Sequence, residues 1–453
     1  MTGLELVKSA MRCNEVPRIP WVPFVGAHAG ALLNISATEY LSSTGRIEEG
    51  VKKAVSIYKP DGIPVAFDLQ VEAEALGCKL NWMDDNPPAV VSHPLLEGVK
   101  LEELQVPGPD KARIPLMMDA ARRLRADLPD IALYGLITGP FTLALHLMGT
   151  DLFMRMLEDP GEIHALMRFS TDTALMMTRE YIDAGCDIIA VVDPMTSQID
   201  PMSFETFVSP YVSEIFNKVR EMDALSSFFV CGFAQHNIEA MCDCGPDNIS
   251  IDENIPLDFV RDVALSKGVS FGGNIKLTVS LLMGTEEDSQ RDALQCMDTG
   301  GKKGFILAPG CDLAMDTPQV NIEAVTRLVH DELLQGELRA AKAKVHDVKV
   351  LDLSSHWKSN KVVIDIITLD SSSCAPCKYM VDAVARACET LGESVEYREY
   401  RIKDEEGIRM MASLGVMQIP TIVMDGNIEF ISHIPPIREI RAKIEEYMQQ
   451  KKL

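Results

Sequence analysis

No run of apolar residues in this chain reaches the roughly 20 needed to cross a bilayer as a helix. The opening residues, Met1 to Lys8, lack a basic segment followed by an apolar one, so no secretory leader is expected. Clusters of lysine and arginine are also missing, and the net charge is −24. That balance argues against a nucleic-acid or anionic-membrane surface, because phosphate contacts need a basic patch. No internal repeat or low-complexity tract is evident. The eleven cysteines are odd in number and irregularly spaced, which excludes a complete disulfide framework and points to a reduced, cytoplasmic chain. The 24 methionines read as core filler.

What is there is an alternation of strand and helix patterns over the first three quarters of the 453 residues. Eight apolar runs are candidate strands: 19–25, 62–68, 131–138, 187–193, 227–231, 248–252, 269–273 and 304–308. Eight parallel strands make a closed (β/α)8 TIM barrel, whose active site lies at the carboxyl ends of its strands. Asp159-Pro160-Gly161-Glu162 and Thr317-Pro318 carry helix-start signals, and the helical pattern from Val320 to about Lys344 closes the barrel. Cys78 to Pro94 reads as an excursion between the second and third strands.

A change of pattern after Lys344 divides the chain into a barrel at 1–345, a polar linker at 346–360 and a small α/β domain at 361–453. In the last, Cys374-Ala375-Pro376-Cys377 follows a strand and opens a helix, whose terminal amides favour the thiolate of Cys374. A hairpin is expected through Asp425-Gly426.

The carboxyl ends of the eight strands present Asp68, the Gly139-Pro140 turn, Asp193, Cys231, Asp252 with Glu253, Asn274 and Cys311. Each aspartate alone suits a helix cap equally well. Together with Glu72, the aspartates are the candidate catalytic acids, and Gly139, Pro140 and Asn274 the candidate cofactor-binding positions. Cys231 and Cys311, each ending an apolar run at a glycine turn, could deliver two thiolates to one mouth and hold a soft metal. Cys242 and Cys244 fall at the other end and read as structural.

Several of these stretches carry a resemblance. Phe67-Asp68-Leu69-Gln70-Val71-Glu72, Gly139-Pro140-Phe141-Thr142, Asp193-Pro194, Asp252-Glu253, Gly272-Gly273-Asn274 and the Cys311 loop resemble the uroporphyrinogen decarboxylase superfamily. Its decarboxylase branch has an arginine-rich segment where this chain reads Ile19-Pro20-Trp21-Val22-Pro23-Phe24, although Asp68 matches that branch's aspartate. Its corrinoid-dependent methyltransferase branch has His-x-Cys-Gly after the fifth strand and a cysteine after the eighth. Cys231-Gly232 and Cys311 match the sulfur positions, and Phe229 stands at that of the histidine. The resemblance implies zinc bound by Cys231 and Cys311, with His236, His28 or Glu72 as a completing donor, and a methyl group passed between cobalamin on a partner corrinoid protein and a small thiol or one-carbon carrier. A tetrapyrrole decarboxylase, or a non-catalytic barrel binding a corrinoid or thiol, is the alternative. The tail resembles the thioredoxin-like family, which implies Cys374 as the attacking thiol, Cys377 as the resolving one and Pro420 as the cis-proline, with Ser373 in place of the usual tryptophan.

Overall fold

The computed structural model describes residues 1–341, 351–353, 356–358, 361–372, 374–389 and 391–451. Most of the linker expected at 346–360, Lys344 and Ser373 lie outside these. The chain forms two compact units, Met1–Lys342 and Ala343–Leu453. Among the described residues, no helix is long and apolar enough to cross a membrane.

The first unit is built on strands β1 (Gly62–Pro64), β4 (Ala132–Thr138), β5 (Ile188–Val192), β6 (Leu225–Val230), β7 (Asn248–Ile251), β8 (Ser270–Ile275) and β9 (Phe305–Pro309). They pair in that order, all parallel. Between β1 and β4 lies the expected excursion, an antiparallel hairpin of β2 (Leu80–Asn81) and β3 (Ala89–Val90). The eighth stave is irregular. Trp21 bridges Leu307 of β9 in parallel, Leu307 N–H donates to Pro20 O at 2.9 Å, and on the other side Asp61 N–H donates to Trp21 O at 2.8 Å. Segment 19–25 therefore closes the barrel without being a regular strand, because Pro20 and Pro23 have no N–H to give a ladder. The expected strand 62–68 likewise stops at Pro64.

Strands buried on both faces need continuous apolar sequence, and β4 and β5 are buried at every position. Inside the barrel, Tyr134, Leu136, Ala190, Val192, Phe229 and Ile306 pack together, and helix Gly3–Met11 plugs one end with Leu6, Val7, Ala10 and Met11. Asp159 caps helix Pro160–Asp183 by accepting the Glu162 N–H at 3.1 Å. The single closing helix expected from Val320 is two, Gln319–His330 and Glu332–Ala340, since Asp331 leaves the first and caps the second.

The second unit is a four-stranded sheet with order β11 (Val395–Arg401), β10 (Val362–Thr368), β12 (Thr421–Met424), β13 (Asn427–Ile431). Helix Ala375–Cys388 follows Cys374, and Ile419–Pro420 is a cis peptide.

Candidate functional site

The strand ends converge as the alternation predicts, and the two cysteines are the tightest contact among them. Cys231 leaves β6 and Cys311 follows β9, and their sulfurs stand 2.6 Å apart. Both are partly exposed and rest on the barrel's interior cluster. Directly in that cluster, the rings of Phe24, Phe67 and Phe229 meet with centroids 4.9 to 6.1 Å apart. Phe229 is thus an interior residue, buried to 1 % exposure.

The turn after Cys231 is set by Gly232, whose φ of 84° is in the left-handed region that favours glycine. Its N–H donates to Asp252 Oδ2 at 3.0 Å. Asp252 also accepts from the backbone N–H of Asn254 at 2.9 Å, and Asn274 Nδ2 donates to the Asp252 carbonyl at 3.2 Å and to Ile255 O at 2.8 Å. Asp252 and Asn274 therefore brace the Cys231 turn. Burial raises the Asp252 carboxyl above its ordinary value, and burial with Asp252 alongside raises Glu253 further.

Asp193 is fully buried at the end of β5. It accepts from Phe141 N–H at 3.1 Å, Thr142 N–H at 2.8 Å and the Thr142 hydroxyl at 2.6 Å, at the start of helix Pro140–Met148. A Cβ on Gly139 would overlap the Asp193 side chain, so only glycine lets strand and carboxylate approach this closely. Gly139 and Pro140 belong to this lock between β4 and β5. Burial pushes the Asp193 carboxyl up to about 6 against the pull of its three donors. Its folded pKa lies above the ordinary 3.8, so its stabilising contribution is full below about pH 4 and lost as pH rises through about 6. We expect the unfolding free energy of the wild type, measured in urea relative to Asp193→Asn, to be larger at pH 4.5 than at pH 7.5 by on the order of 2 kcal/mol; a pH-independent difference would refute this.

Asp68 is not free at the mouth. Its Oδ2 pairs with Arg113 at 2.5 Å, and the same guanidinium reaches Glu74 at 2.6 Å and lies 4.7 Å from the Trp82 ring centroid. Burial alone would lower the Arg113 pKa, but the two carboxylates reverse this and hold it above its usual value. Glu72, buried and raised by desolvation, accepts from the Thr138 N–H at 2.9 Å and its hydroxyl at 2.8 Å.

These placements bear on metal binding. Glu72 is occupied by Thr138, His236 Nε2 lies 2.9 Å from Ile199 O, and His28 is held between Met315 O at 3.0 Å and the Tyr58 hydroxyl at 2.7 Å. Among the described residues, no group of three His, Cys, Asp or Glu is placed to hold a metal ion. Two sulfurs on one tetrahedral zinc at about 2.3 Å would stand roughly 3.8 Å apart, well beyond this contact. Among the described residues, the donor set implied for zinc therefore does not fit: His236, His28 and Glu72 are each engaged elsewhere than at Cys231 and Cys311.

Sequence reasoning missed Arg113 and Asp312. Asp312 accepts the Gly26 N–H at 2.8 Å, which ties the Cys311 loop to the closing stave, and burial holds its carboxyl well above the usual range. Its position beside Cys311 in the same glycine turn was the available signal; Arg113 had none. Cys242 and Cys244 are buried, and burial pushes Cys242 up to about 12.

The uroporphyrinogen decarboxylase (URO-D) family profile matches residues 2–332. The chain belongs to the uroporphyrinogen decarboxylase family. A thioredoxin domain profile matches residues 362–445, within which Cys374 is partly exposed, Cys377 is buried and Pro420 is cis. Relatives of the family domain fall on both sides of its chemistry. Methylcobamide:CoM methyltransferase MtbA of Methanosarcina acetivorans is 25% identical over 329 residues, covering 71% of this chain and 96% of that protein. Uroporphyrinogen decarboxylase of Anaeromyxobacter dehalogenans is 27% identical over 342 residues, covering 71% and 97%. Among solved structures, a methyltransferase from Methanosarcina mazei matches with a TM-score of 0.68 and 22% identity over 73% of this chain and 98% of that one, a likeness of fold.

Proposed function

We propose that this family member is an enzyme moving a methyl group between a corrinoid, carried on a partner corrinoid protein, and a small thiol or other one-carbon carrier in the reducing cytoplasm. The observation that carries this reading is the Cys231–Cys311 sulfur contact of 2.6 Å at the barrel mouth. The methyl-corrinoid supplies an electrophilic carbon whose bonding pair stays with cobalt. The rest falls to the chain. A thiolate on either cysteine of the pair takes the proton of an incoming thiol. The acceptor sulfur is then free to attack. Asp252 positions Cys231 through the Gly232 amide, Asp312 positions the Cys311 loop, and the Phe24–Phe67–Phe229 floor keeps water from beneath the pair. Residues 346–360 are proposed to join this barrel, 1–345, to the thiol-redox domain, 361–453, with Cys374 attacking and Cys377 resolving.

Tetrapyrrole decarboxylation is the weaker reading. A polycarboxylate needs free guanidinium groups, yet Arg18, before the closing stave, is locked to Asp61 by two bonds of 2.6 Å, and Asp68 is neutralised by Arg113. The deciding experiment incubates the full chain with methylcobalamin and coenzyme M, then other thiols, following cobalamin absorbance. Methyl transfer is expected; neither turnover nor cobalamin binding, or coproporphyrinogen formed from uroporphyrinogen, would overturn the reading.

A further inference from the structure

The cysteine pair has chemistry of its own that needs neither zinc nor a corrinoid. Two sulfurs at 2.6 Å are closer than non-bonded sulfur atoms pack, and a small movement brings them to the 2.05 Å of a disulfide. They come from separate strand ends 80 residues apart in sequence, each loop braced by a carboxylate, Asp252 through Gly232 and Asp312 through Gly26. The approach is thus built into the barrel frame. Both residues are partly exposed, whereas Cys78, Cys186, Cys242, Cys244 and Cys296 are buried. Access and proximity are what thiol–disulfide exchange requires.

We propose that Cys231 and Cys311 form a dithiol–disulfide couple at the barrel mouth, oxidised by a small-molecule disulfide and reduced by a dithiol. In the oxidising direction, the thiolate of one cysteine attacks a sulfur of the small disulfide and releases one small thiolate, leaving a mixed disulfide. The other cysteine, losing its proton, attacks the barrel sulfur and releases the second small thiolate. Two electrons and two protons leave the pair, and two small thiols are made. A dithiol runs the same two steps in reverse and becomes a disulfide itself. Its source is either Cys374–Cys377 of the thioredoxin domain or a small dithiol, the chemistry being the same.

The test uses the full chain, reduced, freed of reductant without air, and treated with oxidised glutathione. After acid quenching and alkylation, peptide mass spectrometry is expected to find Cys231 linked to Cys311, with alkylation of both falling together by about tenfold or more and returning on reduction. In Cys311→Ser, oxidation stops at a glutathione adduct on Cys231. A Cys377→Ser chain with its barrel pair oxidised distinguishes the reductants: Cys374 trapped on Cys231 or Cys311 assigns the domain, and an intact cross-link that only dithiothreitol opens assigns a small dithiol. Two thiols that stay alkylatable, a stable adduct without cross-link in the wild type, or protection of both by one equivalent of zinc would overturn the couple. A cross-link without methyl transfer removes only the function proposed above; methyl transfer by a chain whose cysteines never pair removes only this inference.

Discussion

Replacing Arg113 with alanine is expected to lower the unfolding free energy by about 3–5 kcal/mol, the usual cost of removing one partner from a buried ion pair. The Asp68 side chain is 1% exposed and pairs with Arg113, which also reaches Glu74. Without the guanidinium, Asp68 keeps the Gln70 N–H at 2.9 Å, and its charge must be neutralised or hydrated inside the barrel wall. The stack over Trp82 goes as well. Urea denaturation of the single variant, of Asp68→Asn and of the pair measures this. The Arg113 substitution should cost less in the Asp68→Asn background, because no buried charge is then orphaned. Equal costs in both backgrounds would show that the pairing does not matter.

The largest effect on activity is expected at Cys311→Ser and Cys231→Ser, each lowering methyl transfer by about 10²–10⁴, the contribution typical of a positioned proton-transfer group. A serine hydroxyl keeps the size and the hydrogen bond but is far too weak an acid to hold the anion at neutral pH. The fold should survive, with a stability change within about 1 kcal/mol, because both positions are partly exposed. Rates with methylcobalamin and coenzyme M, normalised to folded protein, are the measurement. Activity within a few-fold of wild type would remove the pair from the chemistry.

Much of the barrel was legible because parallel strands covered on both faces must be continuously apolar, as β4 and β5 are. Prolines hid the exceptions: 19–25 reads as a strand by hydrophobicity, but Pro20 and Pro23 cannot donate to a ladder. At the mouth, residues could be assigned to strand ends but not given partners. Glu72 and Asp193 both read as available acids, yet Thr138 and the helix start at Pro140 engage them. Whether a carboxylate is free depends on chain segments far away, as with Arg113, 45 residues from Asp68. The strand-end placement of two cysteines 80 residues apart brings them to one mouth, but nothing in sequence sets their sulfurs 2.6 Å from each other.

The proline-interrupted closing stave also sets an order of events in the life of the chain. Trp21 meets Asp61 on one side and finds its bridge at Leu307 on the other, so the stave can lie beside β1 early but closes the barrel only once β9 has been synthesised. Until then the outer edge of the stave has no partner and Trp21, fully buried in the finished protein, lacks half of its surroundings. Closure is a contact of very high sequence separation, the kind that slows folding and leaves unpaired edges exposed to neighbouring chains. A stave whose prolines cannot donate a ladder is a poor template for such pairing, and the irregularity that hides it from strand recognition protects the nascent barrel from aggregation.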